Sequence, residues 1–264
     1  DEVGDRVVVT SAGTTGSGRY LTGDFIGADS IQNEITAQAT AAIAYDSTVD
    51  TIFEIGGQDS KYISIDKGVV VDFEMNKVCA AGTGSFLQEQ AEKLGINIVG
   101  EFSDLAFEAR QPAHLGDRCT VFMESDLNSH QQKGVDKDNL VGGLAYSIVH
   151  NYIQKVVGDK RIGDHIFFQG GVTNNKSVVA AFEKVTGKKI TVPPHFDVTG
   201  AIGAAILARD AVQSQIADSG VPAQTRFKGF DVSKIPYSLD KFTCKACANQ
   251  CEIRRIRIEG EKRP

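Results

Sequence analysis

The chain has 264 residues, of which 41% are hydrophobic and 23% are charged, an ordinary composition for a globular protein of one or two domains. The formal net charge of -6 argues against a nucleic-acid partner. No apolar run approaches the roughly 20 residues of a membrane-spanning helix, and no signal peptide opens the chain. Five cysteines are an odd number, unlike a secreted disulfide scaffold, so we expect a cytoplasmic protein with reduced thiols.

The hydrophobic pattern predicts an α/β domain. Strands are predicted at 6–10, 49–55, 62–65, 69–73 and 165–168, and helices at 30–45, 85–94, 139–157, 176–185 and 201–216. The stretch 11–19 is predicted as a loop, and 66–68 as a hairpin turn that makes the flanking strands neighbours. Beyond residue 219 the apolar periodicity ends, which predicts a domain boundary near residue 220.

Three glycine-rich turns adjoin predicted strands and helices. They are 54–59 (EIGGQD) after a strand, 80–85 (AAGTGS) opening a helix, and 169–175 (QGGVTNN) between a strand and a helix. Glycine lets backbone N–H groups approach an anion closely, and a helix N-terminus adds partial positive charge for a phosphate. None matches the P-loop or the dinucleotide fingerprint, and each alone is compatible with a plain tight turn. A fourth segment, 200–205 (GAIGAA), has small residues at helical spacing, which suits close helix packing.

Together, these segments resemble the phosphate, adenosine and connecting motifs of the acetate/sugar kinase, heat-shock chaperone and actin superfamily. Within it, the chain resembles the ATP-dependent activators of 2-hydroxyacyl-CoA dehydratases and the related benzoyl-CoA reductase ATPase subunits. The matching motifs are 52–59, 75–86 (MNKVCAAGTGSF), 118–125 (RCTVFMES) and 170–175. The resemblance covers about residues 6 to 212.

This resemblance implies an actin-like (ribonuclease-H-like) α/β fold, a mixed sheet flanked by helices, with mostly the second lobe present. Residues 1–48 are then expected to be a remnant of the first lobe and a crossover helix. Residues 49–218 are expected to form the nucleotide-binding lobe. Residues 219–264 are expected to be a Cys-rich tail or linker toward a missing C-terminal module.

The resemblance also implies ATP or ADP with Mg²⁺ in a cleft. The expected catalytic residues are Glu54, Gln58 and Asp59. The expected nucleotide-binding residues are Gly56, Gly57, Gly82, Thr83, Gly84, Gly170, Gly171, Asn174 and Asn175. The first glycine pair is expected beside the phosphates and the pair at 170 and 171 beside adenine and ribose, facing one common cleft.

The sequence departs from the family at two places. Glu54 stands where most members have Asp, and its longer side chain moves the carboxylate by roughly 1.5 Å, so its role stays open. The family's Asp-x-Gly-Ser-Thr phosphate hairpin does not occur in this sequence, and we expect weak or no ATP binding by the chain in isolation.

Cys79 and Cys119 are implied by the resemblance to bind a [4Fe–4S] cluster. Such a cluster needs four thiolates, so two protomers or modules are expected to supply two each, as a homodimer or pseudo-dimer with the cluster on the two-fold axis. The implied activity is ATP hydrolysis coupled to delivery of one low-potential electron. The implied partners are an acyl-CoA dehydratase or reductase component and an electron donor such as ferredoxin or flavodoxin. On the residues alone, two unrelated buried thiols are the alternative.

The tail carries a second cysteine pattern. Cys244, Cys247 and Cys251 form a C-x₂-C-x₃-C set, which is typical of a metal or cluster site. A closed site needs a fourth ligand, which we expect beyond Pro264. The spacing does not distinguish Zn²⁺ from an iron–sulfur cluster.

Two other functions stay open at this point. A small-molecule kinase of the same superfamily, such as an N-acetylhexosamine kinase, needs no cluster, so Cys79 and Cys119 argue against it. A nucleotide-sensing scaffold that docks a partner is the non-enzymatic alternative.

Overall fold

The computed structural model describes residues 6–77, 80–116, 120–221 and 224–258. The N-terminal half contains β1 (Gly13–Thr14), α1 (Arg19–Ile26), β2 (Ser30–Ile31), α2 (Glu34–Tyr45), β3 (Thr51–Ile55), β4 (Ser60–Asp66), β5 (Val69–Met75), α3 (Gly84–Lys93), α4 (Glu101–Glu108) and α5 (Thr120–Gln132). The C-terminal half contains α6 (Lys137–Tyr152), β6 (Ile166–Gln169), α7 (Lys176–Thr186), β7 (Ile190–Thr191), α8 (Thr199–Ser219), β8 (Tyr237–Thr243) and β9 (Glu252–Ile258).

The central sheet has the strand order β5-β4-β3-β6-β7. The first three strands are antiparallel neighbours, and β6 and β7 run parallel to β3. A two-residue turn joins β4 to β5, and both of its residues, Lys67 (φ 49°) and Gly68 (φ 77°), have the left-handed backbone of a type I′ hairpin. The predicted hairpin and the predicted neighbourhood of its strands are therefore confirmed.

Helices cover both faces of the sheet because side chains alternate along each strand. On one face, Phe53 packs with Tyr152 and Phe182 in the larger apolar core. On the other face, Ile52 and Ile63 form a smaller core with residues of α2.

Helix α2 in turn packs against α8 at very short range. A Cβ atom added at Gly203 would lie 1.8 Å from the carbonyl oxygen of Ala37. This agrees with close helix packing by the segment 200–205.

The strand predicted at 6–10 is not formed. Residues 7–10 have no regular structure, and Val8 is 88% exposed. The valine run favours an extended backbone, but a strand also needs a partner, and no strand among the described residues pairs with it. The predicted loop 11–19 contains β1, which pairs with β2.

Several boundaries also differ from the prediction. Helix α2 begins four residues later than predicted, because the Asn33 side chain caps it by accepting a 2.8 Å hydrogen bond from the Ile35 N–H group. The α1, α4 and α5 helices and the β8–β9 hairpin were not predicted. Within the described ranges, no helix has both the length and the apolar character needed to cross a membrane.

Candidate functional site

Two of the predicted glycine turns lie side by side at one edge of the sheet. Strands β3 and β6 are parallel neighbours, and Glu54 pairs with Gln169 in their register. The turns that follow these residues therefore emerge at the carboxyl ends of adjacent strands, where open α/β sheets bind ligands. The approach is close, since a Cβ atom at Gly170 would lie 2.4 Å from the carbonyl oxygen of Ile55.

The third turn docks onto the first. The N–H group of Gly84 donates to the Gly56 carbonyl oxygen at 2.9 Å, and that of Ser85 donates to the Gly57 carbonyl oxygen at 2.7 Å. The buried Thr83 donates through its N–H group and its hydroxyl to the Ala80 carbonyl oxygen, at 3.0 and 2.7 Å. These N–H and hydroxyl groups already donate within the chain, which favours a structural role for Thr83 and Gly84 over direct phosphate contact.

The turn 56–59 itself is closed by a 2.8 Å hydrogen bond from the Gly56 N–H group to the Asp59 carbonyl oxygen. Gly57 and Gln58 between them are exposed, and Asp59 is half-buried. The Gln58 amide and the Asp59 carboxylate are thus the predicted catalytic groups that solvent or a ligand reaches on this turn.

Glu54 is buried below the turn and forms an ion pair. Its carboxylate lies 2.9 Å from the Lys61 ammonium group, which lies 3.2 Å from Glu34 on its other side. The Lys61 and Glu54 side chains are 5% and 8% exposed. Arg19, 3.9 Å from Glu34, extends the row of alternating charges toward the N-terminal segment.

Burial raises the pKa of the Glu54 carboxyl group, and the Lys61 ammonium group offsets only part of that rise. Burial by itself lowers the pKa of Lys61, but Glu54 and Glu34 outweigh it, so the pKa of Lys61 is above its ordinary value. Lys61 therefore remains charged. Its ion pair with Glu54 disfavours direct metal ligation by that carboxylate.

Mg²⁺ usually keeps several waters and takes one or two carboxylates plus substrate phosphates. Asp59, half-buried on the turn 56–59, fits that requirement better than Glu54. Among the side chains that the structure describes, no group of three or more His, Cys, Asp or Glu is arranged to hold a metal ion.

The turn after β6 places its polar residues in different roles. Asn174 is exposed, and its amide donates to the Gly171 carbonyl oxygen at 3.1 Å. Asn175 is buried as the N-cap of α7, where its Oδ1 accepts from the Ser177 N–H group at 3.1 Å. Asn174 is therefore better placed than Asn175 to meet a ligand.

Two polar residues of this region were missed from the sequence. No role is predicted for Lys61, and Gln169 is predicted only as the first residue of the glycine turn 169–175. Each lies two residues from a buried apolar residue, Lys61 from Ile63 and Gln169 from Phe167. Residues two apart in a strand lie on the same face, so the sequence pattern could have predicted the burial of both. Gln169 is fully buried, and neither atom of its amide has a hydrogen-bond partner within the described part of the chain.

The predicted cysteine ligands fall in two places. Cys79 and Cys119, the expected cluster ligands, lie outside the described residues. Cys244, Cys247 and Cys251 lie in the loop between β8 and β9 as free thiols.

Replacement of Gly170 by Ala is expected to lower the free energy of unfolding by about 2–4 kcal/mol, because it adds backbone strain to overpacking. Gly170 has φ 91°, and its Cβ atom would press on the Ile55 backbone. The matched control is Gly171→Ala, whose Cβ atom would meet nothing within 4 Å and is expected to change stability by less than about 0.5 kcal/mol. Urea denaturation of both variants checks this, and equal losses would contradict it.

Known proteins resemble this chain along most of its length. Residues 2–208 match the BadF/BadG/BcrA/BcrD ATPase family. The activator of lactoyl-CoA dehydratase from Anaerotignum propionicum is 36% identical over 202 residues, which cover 76% of this chain and 76% of the relative. An uncharacterized protein of Methanocaldococcus jannaschii is 31% identical over 204 residues, or 76% of this chain, but the match spans only 49% of that relative.

A solved structure extends the likeness to the fold. The activator of the 2-hydroxyisocaproyl-CoA dehydratase from Clostridium difficile, with bound ADPNP, superposes with a TM-score of 0.72 at 28% identity, covering 83% of this chain and 80% of that one. The expected actin-like fold, with its mixed sheet flanked by helices, is thereby confirmed. On the family match and these identities, the chain belongs to the BadF/BadG/BcrA/BcrD ATPase family.

Proposed function

We propose that the chain is the nucleotide-binding part of an ATP-hydrolysing, iron–sulfur activator. It delivers a low-potential electron to a 2-hydroxyacyl-CoA dehydratase or a benzoyl-CoA reductase-type partner. The relative from Anaerotignum propionicum is named as an activator of lactoyl-CoA dehydratase, and the similar solved activator carries bound ADPNP. The observation that carries the proposal is the meeting of the turns after β3 and β6 at one sheet edge.

In this proposal, the phosphates of ATP or ADP lie against the exposed backbone of Gly57 and Gln58. The Gln58 amide orients the attacking water, and Asp59 holds water of the Mg²⁺ ion. When bound, Mg²⁺ neutralises phosphate charge during the transfer. Gly171 and Asn174 border the adenosine, and Lys61 fixes Glu54 beneath the phosphate turn.

The same geometry supports a link between the nucleotide and the cluster. The carbonyl oxygens of Gly56 and Gly57 hold the N-terminus of α3, and Cys79 lies just before this helix in the sequence. A movement of the phosphate turn on loss of the γ-phosphate would be passed to the Cys79 segment. A [4Fe–4S] cluster held by Cys79 and Cys119 from two protomers or modules would supply the one-electron donor.

The test is anaerobic purification followed by two measurements on the same sample. Iron and sulfide content with broad absorption near ~400 nm reports sulfur-to-iron charge transfer. Calorimetric titration with MgADP and MgATP reports nucleotide binding. A brown protein supports the activator, and its nucleotide affinity is expected to be weak because the phosphate hairpin does not occur in this chain. A colourless protein that phosphorylates an N-acetylhexosamine would identify a kinase instead, and nucleotide binding with neither property would identify a scaffold.

A further inference from the structure

We propose that Cys244, Cys247 and Cys251 form a structural Zn²⁺ site at the tip of the β8–β9 hairpin. This site is separate from the cluster of the proposed function and does not depend on it. Its ligands within the tip are three thiolates, and a fourth protein donor from outside the tip closes the tetrahedral site.

The hairpin brings two of the cysteines opposite each other across its strands. The last paired residues are Thr243 and Glu252. One step further, the Cys244 N–H group donates to the Cys251 carbonyl oxygen at 2.8 Å, so these cysteines face each other at the mouth of the loop. Residues paired in this way have Cα atoms about 5.5 Å apart, within the span of two ligands of one zinc ion, whose Zn–S bonds are about 2.3 Å.

The third cysteine begins a turn that leads the chain back to this pair. The Gln250 N–H group donates to the Cys247 carbonyl oxygen at 3.4 Å, and Gln250 adopts a left-handed backbone with φ 46°. The thiols do not form a ready-made site among the described side chains. Closure of this short loop on the ion is therefore part of binding, as expected where metal binding and folding are coupled.

Among the described residues, the rest of the chain covers little of this end of the hairpin, whose contacts lie within the hairpin itself, such as the Arg255 guanidinium group 4.8 Å from the Phe242 ring centroid. Every residue of β8 is exposed, and β9 is exposed except for half-buried Ile258. A ring contact between Tyr237 and Phe25, with centroids 6.4 Å apart, lies at the base of the hairpin, away from the cysteines. An isolated two-stranded hairpin is marginally stable in water, and small modules of this kind use a metal to hold their loops.

The exposure of the cysteines favours zinc over an iron–sulfur cluster. Three thiolates with Zn²⁺ carry a net negative charge, which Lys245 within the loop offsets. Cys247 and Cys251 are exposed, so the tip offers a cluster no apolar cover. Zinc has no redox chemistry and tolerates such a position as a structural ion.

The experiment uses the full chain carrying Cys79→Ser and Cys119→Ser, in which the tail provides the three remaining cysteines. Titration of the reduced protein with Co²⁺ is expected to give sulfur-to-cobalt charge-transfer bands that saturate at one ion per chain. Zn²⁺ should then displace Co²⁺, because it binds such sites more tightly. Mutation of residues that only support the metal ligands typically lowers metal affinity about 10–100-fold. Cys247→Ser removes a ligand itself, so it should lower the Co²⁺ affinity at least about 100-fold.

The matched control is Asn249→Ala, in the same loop but without a thiolate, which should keep the affinity of its parent. Native mass spectrometry of the chain with Cys79 and Cys119 intact should show one bound zinc ion. Cys247→Ser in that chain should remove the ion. This second measurement keeps the test valid if the double variant folds poorly. Absence of charge-transfer bands, or equal affinities in the Cys247 and Asn249 variants, would overturn the site. A cluster formed by the tail on anaerobic reconstitution with iron and sulfide would overturn its assignment to zinc. Neither readout uses nucleotide or activity, so failure here is distinct from failure of the proposed function.

Discussion

Replacement of Lys61 by Met is expected to lower the free energy of unfolding by about 3–5 kcal/mol, the cost of breaking a buried ion pair from one side. The Lys61 ammonium group lies 2.9 Å from Glu54 and 3.2 Å from Glu34. Methionine fills a similar volume but leaves the Glu54 carboxyl group buried without its counter-ion. Urea denaturation of the full chain at neutral pH measures the loss.

The chain offers a matched control for this change. Lys160 lies 2.8 Å from Asp72, but these side chains are 28% and 46% exposed, so Lys160→Met is expected to cost no more than about 1 kcal/mol. Adding Glu54→Gln to Lys61→Met should recover part of the loss, with a coupling energy of roughly 0.5–3 kcal/mol between the two positions. If the Lys61 and Lys160 variants lose equal stability, the buried row of charges does not hold the end of β3.

The elements around the site were predictable because their sequence signals are local. The strand at Thr51–Ile55 is rich in β-branched and aromatic residues and is followed by two glycines, and the next hairpin is marked by Asp66, Lys67 and Gly68. Turn chemistry of this kind fixes which strands are neighbours. The order of the antiparallel half of the sheet follows directly from it.

The failures have a different physical origin. The valines at 7–9 carry strand propensity, but pairing depends on a neighbour that no local pattern supplies. The β8–β9 hairpin is the reverse case, since its eight-residue loop, 244–251, has no short turn signal and its strands are exposed on both faces. A hydrophobic period of two residues arises when one face of a strand is buried. Neither β8 nor β9 has a buried face.

The residue roles at the site were the least predictable part. Asn175 was expected beside the nucleotide, and the structure has it capping α7. An N-cap and a ligand contact both call for a small polar side chain after a turn, so the sequence does not separate them. The docking of 84 and 85 onto 56 and 57 is a tertiary contact between distant segments, which residue spacing cannot reveal.

Replacement of Cys79 or Cys119 by Ser is expected to abolish the cluster and electron transfer while leaving nucleotide binding unchanged. Serine keeps the shape of cysteine but loses the soft thiolate that iron requires. Neither position belongs to the turns that meet at the carboxyl ends of β3 and β6. Iron and sulfide content, visible absorption and titration with MgADP measure the separate effects. The control is Cys251→Ser, which removes a thiol from the exposed tail and should leave the cluster intact.

Coexpression of equal amounts of wild-type and Cys79→Ser chains then tests whether the cluster bridges two protomers. Random pairing in a two-fold dimer makes about one quarter of the dimers fully wild type. If four thiolates from two chains are needed, iron content should fall toward that quarter, since mixed dimers offer only three. If each chain instead held its own cluster, the content would equal the wild-type fraction of one half. A measured content of one half would therefore contradict the shared cluster even if both single variants lose iron completely.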